Sequence, residues 1–388
     1  MAMKQVRIGV IGCGGMGQGH IALINELPGA RLAAVASQTP ENARSVGTAN
    51  RVPYFTDYRR LIESQLCDAV LIATPHYFHP EIGLAAFQAG LHVLCEKPIA
   101  VTVRGADALV DAAEKSGRVF GVIHQYRTLP AIRLARELVE SGRIGPVRRT
   151  LLVDPWYRSQ AYYESSNWRA TWAGEGGGVL INQAPHSIDF FLWLGGRPGR
   201  VTARTRNRLH DIEVEDEADA LLEYPNGAWG YYYASTCDLE TGPMFEISGD
   251  RGRLIYRDGR LELVTVPVDL SVHSRRAADM WDLPRLERSE PPLPGTASGH
   301  REIIRNFCAA ILEGEPLIAP GSEGLWSVEF INALILSGRQ GRPVDLPLDR
   351  DEYDRLLEDL RRNSRPKQVV RIQRKVDPKF KINQGKAK

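Results

Sequence analysis

Two short segments carry the residue types on which proton-transfer chemistry runs. Glu96-Lys97-Pro98 follows the apolar run His92–Cys95, so it stands where a buried strand ends. Open α/β sheets bind ligands at that carboxyl edge. A lysine there serves as acid or base once burial or a nearby cation lowers its pKa toward neutrality. Taken alone, a strand-end lysine is simply solvated. The second segment is Gly176-Gly177-Gly178-Val179-Leu180-Ile181-Asn182-Gln183-Ala184-Pro185-His186. Asn182 and His186 are four apart, so on one helix they project from the same face. Histidine titrates near neutrality and suits the removal of a hydroxyl proton. Read alone, His186 is a core histidine capping a helix.

A third segment holds phosphates. Gly12-Cys13-Gly14-Gly15-Met16-Gly17 directly follows the strand Val6–Ile11 and opens a helix. In such a turn the first glycine permits the bend, the second lets backbone approach a pyrophosphate, and the third lets helix and strand pack closely. The helix N-terminus adds free N–H groups and the positive end of its dipole. This context makes the turn a dinucleotide site formed by Gly12, Gly14, Gly15, Met16 and Gly17. The end of the second strand reports on the adenosine ribose. It reads Ser37-Gln38-Thr39, with no acid before Glu41. Without a carboxylate to repel a 2′-phosphate, either NAD or NADP is admitted, with a lean toward NADP or dual use.

The elements that position these residues follow from hydrophobic period. Strands at Val6–Ile11, Arg31–Ser37, Ala69–Ala73, His92–Cys95 and Val119–His124 alternate with helical segments, including Pro80–Ala89. That alternation predicts βαβ units and a parallel sheet. After about residue 125 the pattern changes. A helix over Leu129–Ser141 and one from the glycine run to about Leu194 precede strands at Arg200–Thr205, Ala218–Tyr224, Trp229–Ser235, Met244–Ser248, Leu254–Arg257 and Leu261–Val266. Turn signals between them predict hairpins. Residues 267–298 read as a long loop, and His300–Glu313 and Gly324–Arg339 as amphipathic helices. The fold class is α/β: a Rossmann parallel-sheet domain over 1–125, then an α+β domain over 126–362 with an open, mainly antiparallel sheet. Residues 363–388 form a basic C-terminal arm.

Composition narrows the function classes. The net charge is +2, which points to no polyanionic partner. Charge is concentrated from Arg361 to Lys388, with eleven basic residues and the single acid Asp377. Phe380 is the one aromatic among those charges, so a solvated or subunit-clasping arm is expected rather than a nucleic-acid tail. Five cysteines show no CxxC pair and nine histidines no ligand spacing, so no metal site is expected. No apolar run approaches the ~20 residues of a membrane span, and no leader is visible. A soluble cytoplasmic protein is expected.

The order GxGxxG, ATPxxxHP, CEKP and GGGVLxxQxxHxxD resembles the Gfo/Idh/MocA family (glucose–fructose oxidoreductase, inositol dehydrogenase and relatives), over roughly residues 5–350. The resemblance implies an NAD- or NADP-dependent oxidoreductase acting on a sugar, cyclitol or sugar derivative, in a homo-oligomer, a dimer or tetramer. It implies that Lys97 is catalytic and binds a substrate hydroxyl, and that Glu96 lies near the nicotinamide ribose. Thr74, His79 and Gln125 match cofactor-side positions. Arg127, Trp168 and Arg169 match positions on the substrate side. His186 matches the family histidine, while Asn182 stands where the family commonly has aspartate. An amide takes no proton at neutral pH, so Lys97 and His186 must divide the chemistry and Asn182 must orient. The family often has Asn after Thr-Pro, where this chain has His76. Two rival classes stand beside this one: an NAD-dependent glycosidase of the same fold working through a transient 3-keto sugar, and a non-catalytic dinucleotide-binding regulator.

Overall fold

The structure, a computed structural model, describes residues 5–296, 299–365 and 367. The first part of the chain builds strands β1 (Val6–Ile11), β2 (Ala30–Ala36), β3 (Tyr54–Phe55), β4 (Ala69–Ile72), β5 (His92–Cys95) and β6 (Phe120–Val122). Between them lie helices α1 (Gly15–Glu26), α2 (Pro40–Asn50), α3 (Tyr58–Glu63), α4 (His79–Gln88) and α5 (Val103–Ser116). All pairings are parallel and the order is β3-β2-β1-β4-β5-β6. Both faces of this sheet are covered, so Ala69–Ile72 is buried at every residue, as a near-continuous apolar run requires. The order reverses between β1 and β4, the switch point where such sheets bind ligands. The Gly12–Gly17 turn leaves β1 at that point and Thr74 leaves β4.

Helix α6 (Pro130–Glu140) leads to β7 (Val147–Pro155), and α7 (Gln160–Glu164), α8 (Val179–Asn182) and α9 (Pro185–Gly195) follow. Strands β8 (Arg200–Arg206), β9 (Glu217–Glu223), β10 (Trp229–Ser235), β11 (Met244–Gly249), β12 (Gly252–Arg257) and β13 (Arg260–Thr265) come next. Then come α10 (Leu270–Arg276), β14 (Glu287–Ser289), α11 (Gly299–Glu313), α12 (Gly321–Gln340), β15 (Val344–Asp345) and α13 (Arg350–Arg362). The second sheet runs β14-β13-β12-β11-β7-β10-β9-β8-β15. Its pairings are antiparallel except β7 with β10, which is parallel.

The chain returns to its first sheet near its end. Helix α11 packs on α1 and β1, and α12 lies between α5 and β8. Asn332 of α12 accepts from the Val103 amide and donates to the Val101 carbonyl, each at 3.0 Å, fixing the segment that follows Lys97.

Two expectations change, and a third falls largely outside the described residues. The helix foreseen from the glycine run to Leu194 is two helices, α8 and α9, because Pro185 lacks an N–H and starts a new one. The stretch 267–298, read as loop, contains α10 and β14. The basic arm lies outside the described residues apart from 363–365 and Lys367.

Candidate active site

The glycine turn has the geometry its residue types foretell. Gly12 has φ +108°, and a Cβ there would lie 2.4 Å from the Ala73 carbonyl oxygen. A Cβ on Gly17 would lie 1.8 Å from the Gly12 carbonyl oxygen, so α1 leaves β1 with no room for a side chain. Around Gly14 nothing stands within 4 Å, leaving its backbone open to a ligand. Gly15 begins α1, with Met16 half-buried beside it. Thr74 Oγ1 and Gln125 Oε1 are buried without a hydrogen-bond partner among the described residues. Such orphaned atoms, with an open glycine backbone at a helix N-terminus, fit a dinucleotide. At the ribose end the Ser37 amide donates to the Phe55 carbonyl at 3.0 Å, and Ser37 Oγ accepts from the Thr39 amide at 3.3 Å.

His79 departs from the expected cofactor contact. It is fully buried, and its ring nitrogens face the Pro98 and Thr74 carbonyl oxygens, each at 2.8 Å. It ties the end of β4 to the turn after Lys97. Glu96 is likewise held from within. Its Oε1 meets His20 Nε2 at 2.7 Å, and Oε2 accepts from the Lys97 amide at 3.2 Å. Burial opposes its ionisation, but the His20 hydrogen bond and nearby cationic groups hold its pKa below the usual carboxylate range. His20, whose ring centroid lies 5.4 Å from that of His300, did not stand out in the sequence as part of this support.

Lys97 is half-buried at the end of β5, and the Lys97–Pro98 peptide is cis. Its Nζ donates to the Asn182 main-chain oxygen at 2.8 Å. Burial lowers the Lys97 pKa, Glu96 and Glu175 oppose that shift, and Arg169 and Arg158 add to it. The Asn182 side chain is bonded to groups other than the lysine. Its Nδ2 donates to Glu175 Oε1, and its Oδ1 accepts at 3.4 Å from the Tyr162 hydroxyl and at 3.3 Å from Gln183 Nε2. His186 is half-buried, with its ring stacked on Tyr126 at 5.1 Å between centroids. Burial and the Lys97 charge push its pKa well below the ordinary histidine value. Its Nδ1 has no hydrogen-bond partner among the described residues. The helix is interrupted between Asn182 and His186, though Gln183 and Ala184 keep helical dihedrals; the Asn182 main-chain oxygen bonds Lys97 and His186 feels its charge.

Arg127, expected on the substrate side, is a structural ion pair. It is 1% exposed, donates twice to Asp189 at 2.8 and 2.6 Å, donates to the Ile318 carbonyl, and bonds Glu323. Four of its five N–H donors are thus engaged within the protein. Arg169 is also buried, with its guanidinium over Trp168 and Tyr162 at 4.7 and 4.3 Å from their ring centroids. It bonds the Tyr162 hydroxyl and lies 3.7 Å from Glu175. Trp168 itself is half-buried and stands edge-on to His76. The same loop is clamped from the C-terminus: Lys367 Nζ donates to the Arg169 carbonyl at 3.0 Å and to that of Tyr163.

Sequence comparison agrees with this arrangement. A family model described as "Oxidoreductase family, NAD-binding Rossmann fold" matches residues 6–124, and one for the GFO/IDH/MocA C-terminal domain matches 132–255. This chain belongs to the Gfo/Idh/MocA oxidoreductase family. Levoglucosan dehydrogenase of Pseudarthrobacter phenanthrenivorans is 27% identical, over 89% of this chain and 99% of that one. D-apiose dehydrogenase of Paraburkholderia graminis is 26% identical, over 89% and 90%. Among solved structures, levoglucosan dehydrogenase in complex with NADH and L-sorbose superposes with TM-score 0.76 at 26% identity, covering 89% of this chain and all of that one. The WlbA dehydrogenase from Bordetella pertussis, in complex with NADH and UDP-GlcNAcA, does so with TM-score 0.75 at 26% identity, over 89% and 100%.

Proposed function

We propose that this chain is an NAD(P)-dependent oxidoreductase that moves a hydride between nicotinamide and a carbinol carbon of a sugar, cyclitol or sugar derivative. The observation that carries the reading is Lys97, half-buried at the carboxyl end of β5 and aimed by the Asn182 carbonyl. The Gly12–Gly17 turn, Ser37, Thr74 and Gln125 would hold the dinucleotide. A bound nicotinamide supplies the hydride acceptor or donor, and the protein handles the proton. Of the two proton-handling candidates, burial moves Lys97 toward neutrality and His186 away from it. A catalytic base works best with a pKa near the working pH. In this reading Lys97 Nζ takes the hydroxyl proton during oxidation and returns it during reduction. Neutral His186 fixes that hydroxyl through a hydrogen bond, Asn182 Oδ1 accepts from a neighbouring one, and Trp168 and Tyr162 offer aromatic faces to the ring.

The relatives are named as dehydrogenases and reductases, which favours net oxidoreduction over redox-neutral glycoside cleavage. Residues 1–125 would carry the dinucleotide and 126–362 the substrate side. The outer face of the second sheet exposes Leu221 and Trp229 by 54% and 57%, which supports a homodimer or tetramer assembled there. No helix among the described residues is long and apolar enough to cross a membrane, in keeping with a cytoplasmic enzyme. The test is a panel of sugars and polyols with NAD and NADP, followed at the nicotinamide absorbance. Turnover of at least one with either cofactor is expected, and silence across the panel would overturn the reading.

A further inference from the structure

The family position next to the lysine holds an amide in this chain, yet a carboxylate stands directly behind it. Glu175 is 1% exposed and lies inside the glycine run that precedes α8. Every group it meets is a donor. Oε1 accepts from Asn182 Nδ2 and lies 3.7 Å from Arg169, while Oε2 accepts from the Ala170 amide at 2.5 Å. Burial raises the Glu175 pKa, while the Arg169 charge, the hydrogen bonds from Ala170 and Asn182 and the Lys97 charge oppose that shift; a carboxylate oxygen that accepts dictates which way the Asn182 amide lies. One Nδ2 hydrogen is given to Glu175, which fixes the amide with its Oδ1 on the side of Tyr162 and Gln183. The Asn182 main-chain oxygen receives Lys97, and Oδ1 has only the long contacts to Tyr162 and Gln183.

We infer that Glu175 is a positioning residue that locks the Asn182 amide, so that this subsite presents an acceptor and selects a substrate hydroxyl, a donor, beside the reacting carbon. A carboxylate, phosphate or keto oxygen placed there would meet oxygen against oxygen. The proposal rests on the dehydrogenase reading given above. It also explains how the lysine site keeps a negative charge although residue 182 has none. Glu96, Glu175, Arg169 and Arg158 act on Lys97, whose charge also couples to His76, His79, His124, His186 and His300.

The test is a pair of single variants and their exchange. Glu175→Gln turns an –NH2 toward either Asn182 Nδ2 or the Ala170 amide, so one hydrogen bond is lost. Asn182→Asp sets two carboxylates in contact, which must then share a proton. In Glu175→Gln/Asn182→Asp the glutamine amide donates to Asp at 182 and its oxygen still accepts from Ala170, so both bonds return. Each single variant should lose ~10–100-fold in kcat/KM on the active sugar, the scale of a hydrogen bond to a charged group. The exchange should recover most of that loss. Additive losses, with the exchange worst of all, would overturn the inference.

A second measurement needs no turnover. The pH dependence of Lys97 acetylation by dilute acetic anhydride, read by peptide mass spectrometry on cofactor-free protein, should move to lower pH in Glu175→Gln and back in the exchange. Removing a nearby negative charge weakens the ammonium relative to the amine, which fixes that sign. An unmoved midpoint in Glu175→Gln overturns the inference even if the sugar assay is active. A moved midpoint in a protein silent on every sugar sustains it and sinks the dehydrogenase reading instead. A Glu175→Gln protein that does not fold leaves the decision to the exchange variant, whose own failure to fold and react would overturn the proposal.

Discussion

Lys97 Nζ and the main-chain oxygen of Asn182 lie 2.8 Å apart, a hydrogen bond that spans 85 residues of sequence and joins the end of β5 to the end of α8. The amine is therefore aimed by backbone rather than by a mobile side chain. Replacing the lysine removes the proton carrier and leaves the backbone that held it in place. Lys97→Met should fold, bind NAD(P) with near-normal affinity by fluorescence titration, and turn over ~100-fold or more slowly, the contribution of a positioned acid–base group. Normal turnover in that variant would remove Lys97 from the chemistry.

The pH profile separates lysine from histidine. An ammonium must lose its proton before it can act as a base, so oxidation should speed up as pH rises through the Lys97 pKa. Burial places that pKa below the ordinary lysine value. His186, pushed well below the ordinary histidine value, should contribute no limb near neutrality. His186→Ala is then expected to lower kcat while keeping the rising limb, and Lys97→Met to abolish the limb. From the sequence alone a histidine limb is the natural expectation, because nothing in it reveals how deeply His186 is enclosed. A limb lost in His186→Ala would return the proton to the histidine.

The glycines of the turn should fail in different ways. Gly17→Ala drives a Cβ against the Gly12 carbonyl and should cost about 3 kcal/mol of stability, read as a lower midpoint in urea. Gly14→Ala meets no atom of the protein, so the fold should be unchanged while dinucleotide affinity falls. Equal loss of stability in both would mean that the space beside Gly14 is not the phosphate's.

Cofactor choice is expected to turn on Ser37, whose hydroxyl accepts from the Thr39 amide at 3.3 Å. Ser37→Asp should shift the ratio of kcat/KM values toward NAD, since a carboxylate accepts the ribose 2′-hydroxyl and repels a 2′-phosphate. A wild type that already rejects NADP, with no change in the variant, would show that the discrimination lies elsewhere.

Much of the dinucleotide half was legible because its strands are buried on both faces and so read as plain apolar runs. The glycine turn was legible because each glycine answers a local steric demand. The substrate side was harder, for a physical reason. Arg127 sits in an unremarkable stretch, and its partners Asp189 and Glu323 are 62 and 196 residues away, so no local pattern betrays the ion pair. Glu175 is hidden in a glycine run, where one acid looks like a solvated loop residue. The break between α8 and α9 did have a signal, Pro185, which the even spacing of Asn182 and His186 obscured.

Helix α11 bears on how the molecule comes into being. Ile303, Ile304 and Phe307 are buried in α11, which packs on α1, β1, β5 and the turn Gln125–Thr128, and a Cβ on Gly121 would lie 3.3 Å from the Phe307 ring. The first sheet therefore leaves the ribosome with one apolar flank bare, long before the helix that covers it has been translated. A fragment cut at residue 125 would carry the whole glycine turn and still lack its own lid of hydrocarbon. The nascent chain must either wait, collapsed and sticky, or be shielded by a chaperone until α11 has been translated.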